Sequence, residues 1–161
     1  MKKVLYSSLI LLSAFFSAQK NTFLSPDFWK SKPTLESVKK EIKNGNDASE
    51  KNGGAFDAVT LAINNKANPE VIKFLIAQPG NSVDKITHDG RIYLHWAAMS
   101  GNADLVDFLI KKGSDVHFKD TKGTTPLVFA ANAGVVDPDI YQSFFNRGVQ
   151  PTEKYKNGAN I

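Results

Sequence analysis

Asp89-Gly-Arg-Ile-Tyr-Leu-His-Trp-Ala-Ala98 and Lys122-Gly-Thr-Thr-Pro-Leu-Val-Phe-Ala-Ala131 are the stretches on which the fold turns. Laid over one another, Gly90 meets Gly123, Leu94 meets Leu127 and Ala97 meets Ala130, each pair 33 residues apart. Gly101 and Gly134, just beyond, keep the same spacing. Four markers at one period define an internal repeat. Thr125-Pro126 reads as a helix start: a Thr hydroxyl can accept a hydrogen bond from an orphan N–H of the first turn, and Pro has no N–H to orphan there. The paired alanines keep this first helix thin, so that neighbouring units can approach. Gly101 and Gly134 allow the positive φ of a tight turn. Leu105, Phe108 and Leu109 follow at helical spacing, and Gly113 stands where a helix ends.

Working outward, Ala55–Ile63 is a looser copy, with Val59 aligned to Leu94 and Ala62 to Ala97 at a spacing of 35. Two extra residues account for the difference, one near Lys66-Ala67 and one near Gln78-Pro79. Val71–Ile76 then matches Leu105–Ile110. Ile140–Phe145 follows with two extra residues around Val136-Asp-Pro138. Upstream, Leu35, Val38 and Ile42 form the apolar face of a degenerate first unit. Ser25-Pro26 starts its shortened first helix, and Phe28 and Trp29 are read as part of an N-terminal cap. Gly158 lies ten residues after Gly148, as Gly123 does after Gly113, and so opens a further unit.

The period and the D-G-x-T-P-L-H-x-A-A pattern resemble the ankyrin-repeat family. The resemblance implies an all-α solenoid of stacked helix-turn-helix units with projecting hairpin loops, here Val83–Arg91 and Val116–Thr124. It divides the chain into a degenerate or capping repeat at 19–52, repeats at 53–87, 88–120 and 121–155, and the start of another at 156–161. No unit has the full T-P-L-H. The middle one has Ile92-Tyr93 for Thr-Pro, which predicts a weaker helix start, but keeps His95. The resemblance gives that His the role of tying hairpin to helix backbone. The last unit keeps Thr125-Pro126 and has Val128 in place of His.

Residues 1–18, MKKVLYSSLILLSAFFSA, have the order of a secretory leader: Lys2-Lys3, an apolar stretch, then small residues. The stretch is shorter than the ~20 residues that span a bilayer as a helix. The expectation is a cleaved signal peptide and a periplasmic or secreted bacterial protein with no membrane association thereafter. Without Lys2 and Lys3, 18 basic side chains face 16 acidic ones, which gives no argument for nucleic acid. With no cysteine, disulfides and thiol chemistry are excluded.

No catalytic pattern emerges. His88, His95 and His117 are seven and twenty-two residues apart, too far for a helical zinc pair. Gly53-Gly54 lacks the Lys-Ser/Thr of a phosphate loop, and Asp84–Gly90 lacks the Asp/Asn series of a calcium loop. The expectation is therefore a non-catalytic module, monomeric and without cofactor or metal, that binds a protein on the concave surface the resemblance implies. Mapped onto this chain, its site is His88, Asp89, Arg91, Trp96, Thr121, Lys122, Thr124 and Phe129. Leu61, Trp96 and Phe129 occupy the same helix position in successive units. An aromatic pair rimmed by Arg and Lys suits an interface anchor, so truncating Trp96 is expected to weaken binding without unfolding the chain. The alternatives are a structural or capping segment of a longer array with its site beyond residue 161, and a small-ligand binder using His88 and His117.

Overall fold

The computed structural model describes residues 20–155 and residue 158; the expected signal peptide, residues 1–18, lies outside them, as does the unit start expected at 156–161 apart from residue 158. Among the described residues there are eight α-helices and no strand. The helices are α1 (Pro26–Lys30), α2 (Leu35–Lys43), α3 (Ala58–Asn64), α4 (Pro69–Ile76), α5 (Tyr93–Met99), α6 (Ala103–Lys111), α7 (Pro126–Asn132) and α8 (Pro138–Phe145). The helices α1, α3, α5 and α7 pack on one another in chain order as an inner layer, and the remaining four form the outer one. None is long and apolar enough to cross a membrane.

Residue type explains the layers. The inner helices bury Ala62, Ala97 and Ala130 completely, small side chains where helices pack side by side. Each outer helix starts on a side chain that accepts a backbone N–H: Thr34 from Ser37, Asn68 from Glu70, Asn102 from Leu105 and Asp137 from Asp139. Counting from those caps, the seventh residue of the last three outer helices is Leu75, Leu109 and Phe144, all fully buried. At ~25 cal/mol per Å² of apolar surface, each such side chain contributes roughly 1.5–3 kcal/mol.

The inner helices start differently. Asp57 caps α3 by accepting from the Thr60 N–H and hydroxyl, both at 2.9 Å. Thr125 is the N-cap of α7 and Ser25 of α1, but neither side chain makes a capping bond. The expected Thr125 hydroxyl cap is thus absent; Pro126 fixes that first turn by its φ instead. In α5, where a weak start was expected, His95 supplies the missing acceptor, as described below.

The inserted residues lie close to where the spacing placed them. Ala67 separates the α3 turn from the Asn68 cap, and Val135 and Val136 precede the Asp137 cap. Lys66 takes the turn position held by Gly101 and Gly134, at φ 51° against 72° and 77°. A non-glycine residue there costs roughly 1–2 kcal/mol. At the N-terminal end, Trp29 is fully buried and its Nε1–H donates to the Phe23 carbonyl at 2.7 Å, closing the stack.

Candidate functional site

Three loop tips project on the side of the inner helices, each closed by a bond from the first N–H to the fifth carbonyl. The pairs are Asn52 to Phe56 (2.9 Å), Thr87 to Arg91 (2.7 Å) and Asp120 to Thr124 (3.0 Å). Asn52 Oδ1 accepts from the Gly54 and Phe56 N–H groups, and Asp120 Oδ1 from those of Lys122 and Thr124. Short Asx side chains folding back on their own turn explain these residue types. The tips are also hooked together. The Thr121 N–H and hydroxyl both donate to the Asp89 carbonyl, at 3.0 and 2.8 Å. His88 Nδ1 lies 2.8 Å from the Gly54 carbonyl, which can only accept, so the ring donates. Gly90 lies so close to Thr121 that an added Cβ would sit 2.8 Å from its methyl carbon.

His95 joins tip to helix. It is fully buried; Nδ1 accepts from the Ile92 N–H at 3.3 Å, and Nε2, 3.0 Å from the Thr124 carbonyl, must donate. That pair of bonds requires a neutral ring. Burial, which disfavours the cation, accordingly lowers its pKa and prevails over the Thr124 bond, which acts to raise it.

The expected site residues divide into two sets. His88, Asp89, Thr121, Lys122 and Thr124 lie on the tips and reach solvent, and Phe129 is half-buried on α7. Arg91 and Trp96 do not stand open as anchors, being only 7% and 5% exposed. The Trp96 Nε1–H donates to the Thr87 hydroxyl at 2.9 Å, and that hydroxyl donates to the Arg91 carbonyl at 2.6 Å. The Arg91 guanidinium pairs with Asp120 at 3.1 Å and Asp89 at 3.2 Å. It also lies 4.2 Å from the Phe129 ring centre and 5.3 Å from that of Trp96. Trp96 therefore stacks repeat on repeat. Its truncation is now expected to destabilise the fold by roughly 3–5 kcal/mol, which replaces the expectation of a binding-only effect.

Phe56 was missed. Its ring stacks on His88 with centres 4.5 Å apart and planes at 18°, and it extends the aromatic row Trp96–Phe129 toward the N-terminal end. The available signal was its position as fifth residue of a tip, equivalent to Arg91 and Thr124. Asp89 gathers basic side chains: Arg91 at 3.2 Å and Lys122 at 3.3 Å, with His88 Nε2 at 3.5 Å. Desolvation acts to raise its pKa, but the Lys122 bond and these charges together outweigh it and hold the carboxyl below the usual carboxylate range.

A second polar cluster also went unread. Asp57, fully buried, receives the Tyr93 hydroxyl at 2.6 Å and Lys85 Nζ at 2.9 Å. Lys85 donates as well to the Ser49 carbonyl (2.7 Å) and Asn81 Oδ1 (2.8 Å). Burial, reinforced by Asp57, raises the Tyr93 pKa well above that of a free phenol. This explains Tyr93 in the place of the repeat's Pro: its hydroxyl bridges two units. Among the described residues no group of three His, Cys, Asp or Glu side chains is placed to hold a metal.

A family profile described as ankyrin repeats (3 copies) matches residues 31–120 and 59–155. The chain belongs to the ankyrin-repeat family. Protein phosphatase 1 regulatory subunit 27 of Mus musculus is 40% identical to it over 67 residues, 42% of this chain and 42% of that protein. Ankyrin repeat-containing protein C6C3.08 of Schizosaccharomyces pombe is 30% identical over 105 residues, 64% of this chain and 45% of that protein. Palmitoyltransferase ZDHHC13 of Mus musculus is 41% identical over 63 residues, 38% of this chain and 10% of that protein. The matched segments span less than half the length of these curated relatives. The family and the regulatory-subunit relative fit a protein-interaction module.

Proposed function

We propose that the chain is a non-catalytic module that binds a protein partner across its row of loop tips and the adjoining inner helices. One observation carries the reading: three tips hooked to one another present His88, Asp89, Thr121 and Lys122 to solvent beside the half-buried rings of Phe56 and Phe129. Such a surface is rigid before binding, which reduces the ordering cost of association. Arg91 and Trp96 act behind it, fixing Asp89 and Phe129 in place. The similarity to a protein named as a phosphatase regulatory subunit is in keeping with a binding role.

The leader-like order of residues 1–18 supports export of the chain with that segment removed, and action outside the cytoplasm. Expression of the full sequence in a bacterial host should yield a periplasmic product whose mass lacks the leader; an intact chain retained in the cytoplasm refutes export. The mature protein, used as bait in extract of its own compartment, should capture a partner that is lost with Lys122→Glu combined with His88→Ala. Lys122 is exposed, and Lys122→Glu alone, which leaves the His88–Gly54 bond between tips intact, should weaken capture in the same direction. A partner retained by that variant refutes this choice of surface.

A further inference from the structure

The outer helices carry a feature that the tip surface leaves unexplained. At the sixth residue after each outer N-cap stand Lys40, Phe74, Phe108 and Ser143. The end units place a polar side chain at this position, whereas the two middle units place a half-buried phenylalanine there. Between α2, α4 and α6 these rings border a groove of about 590 Å³, floored also by Leu35 and Val83. That lies within the ~300–1,000 Å³ range of ligand clefts.

Its rim is basic. Lys39, Lys73 and Lys112 line it, against a single carboxylate, that of Glu70. Lys73 and Lys112 hold their ammonium groups 5.5 and 5.8 Å from the centre of the Phe108 ring. Lys39 pairs with Glu36 at 3.2 Å and Lys73 with Glu70 at 3.7 Å, both within one helix and with the carboxylates largely exposed. Exposed pairs of this kind contribute ~0.2–1 kcal/mol and exchange partners at little cost. Among the described residues Lys112 makes no ion pair.

We infer that this groove is a second docking site, for an acidic peptide segment that sets one apolar side chain against Phe74 and Phe108 and lays flanking carboxylates on Lys39, Lys73 and Lys112. Charge complementarity selects the acidic flank, and the apolar floor recessed between helices selects an inserted side chain over a flat lipid surface. The site lies on the outer helices, away from the tips, and is independent of the function proposed above.

The test uses the full chain and three fluorescein-labelled peptides of nine residues: a central Leu flanked by glutamates, the same with lysines, and the glutamate peptide with a central Ala. Fluorescence anisotropy should show binding of the first alone, weakening as salt rises. Lys73→Glu with Lys112→Glu should reduce affinity at least tenfold, as should Phe108→Ala. Lys122→Glu, on a tip, should leave it unchanged. Lys112 is exposed and the Lys73 side chain is 35% exposed, so the lysine reversals keep the test valid if Phe108→Ala does not fold. Equal binding of the lysine peptide, no binding of the glutamate peptide at millimolar concentration, or indifference to the lysine reversals overturns the inference. So does binding to phosphatidylglycerol vesicles without binding to the peptide.

Discussion

Replacing Lys85 by Met should expose how the buried cluster around Asp57 is held together. The Lys85 ammonium makes three bonds, to Asp57, Asn81 and the Ser49 carbonyl, and its side chain is only 12% exposed. Asp57 is fully buried, so removing the cation strands a carboxylate with the Tyr93 hydroxyl and Thr60 as its remaining donors. Breaking a buried pair by taking one partner costs about 3–5 kcal/mol, because the other charge stays out of water. The loss is a large part of the ~5–15 kcal/mol that separates folded from unfolded states. Urea unfolding followed by circular dichroism measures it. The decisive comparison is the same substitution in an Asp57→Asn background, where no charge is stranded; there Lys85→Met should cost about 1 kcal/mol, the order of an ordinary hydrogen bond. Equal costs in the two backgrounds, within ~0.5 kcal/mol, would show that Asp57 and Lys85 are not coupled and would refute the argument.

Stability should also depend on His95 protonation. Because its folded pKa is lowered, the unfolded state binds the extra proton. The contribution is therefore complete above the unfolded value of about 6.5 and declines as pH falls below it, by at most ~1.4 kcal/mol per unit. Urea midpoints at pH 7.5 and 5.5 should fall more for the native chain than for His95→Gln; equal falls refute the neutral-ring assignment. Lys66→Gly should raise stability by about 0.5–1 kcal/mol, since glycine relieves the positive φ of 51° but adds unfolded-state freedom; a lowered melting temperature would contradict this. Gly90→Ala should lose more than ~1 kcal/mol, because its φ is 73° and the new Cβ would press on Thr121, whose bonds hook two tips together. Unchanged thermal stability in that variant would show that the hook does not matter.

The period, the turn glycines, the helices and the positions of the tips were legible along the chain, because these depend on sequence neighbours. Gly101 and Gly134 mark turns by what their own backbone permits. Leu105 and Leu109 mark a buried face by spacing alone. Five of the expected site residues, His88, Asp89, Thr121, Lys122 and Thr124, followed from the same local reading and do lie on the tips. Exposure and pairing between units emerged only in the packed stack. Trp96 reads as an anchor until Thr87, nine residues earlier, is seen to take its N–H. Arg91 reads as a rim charge until Asp120, from the next tip, is seen beneath it. Asp57 and Tyr93 are 36 residues apart, and Lys85 and Ser49 are also 36 apart. Insertions near Lys66 and Gln78 move both pairs off the 33-residue period, so the repeat spacing does not reveal them. A side chain's environment in a stack is made by the next repeat, and how closely two repeats approach depends on the packing of whole helices, which no local pattern encodes.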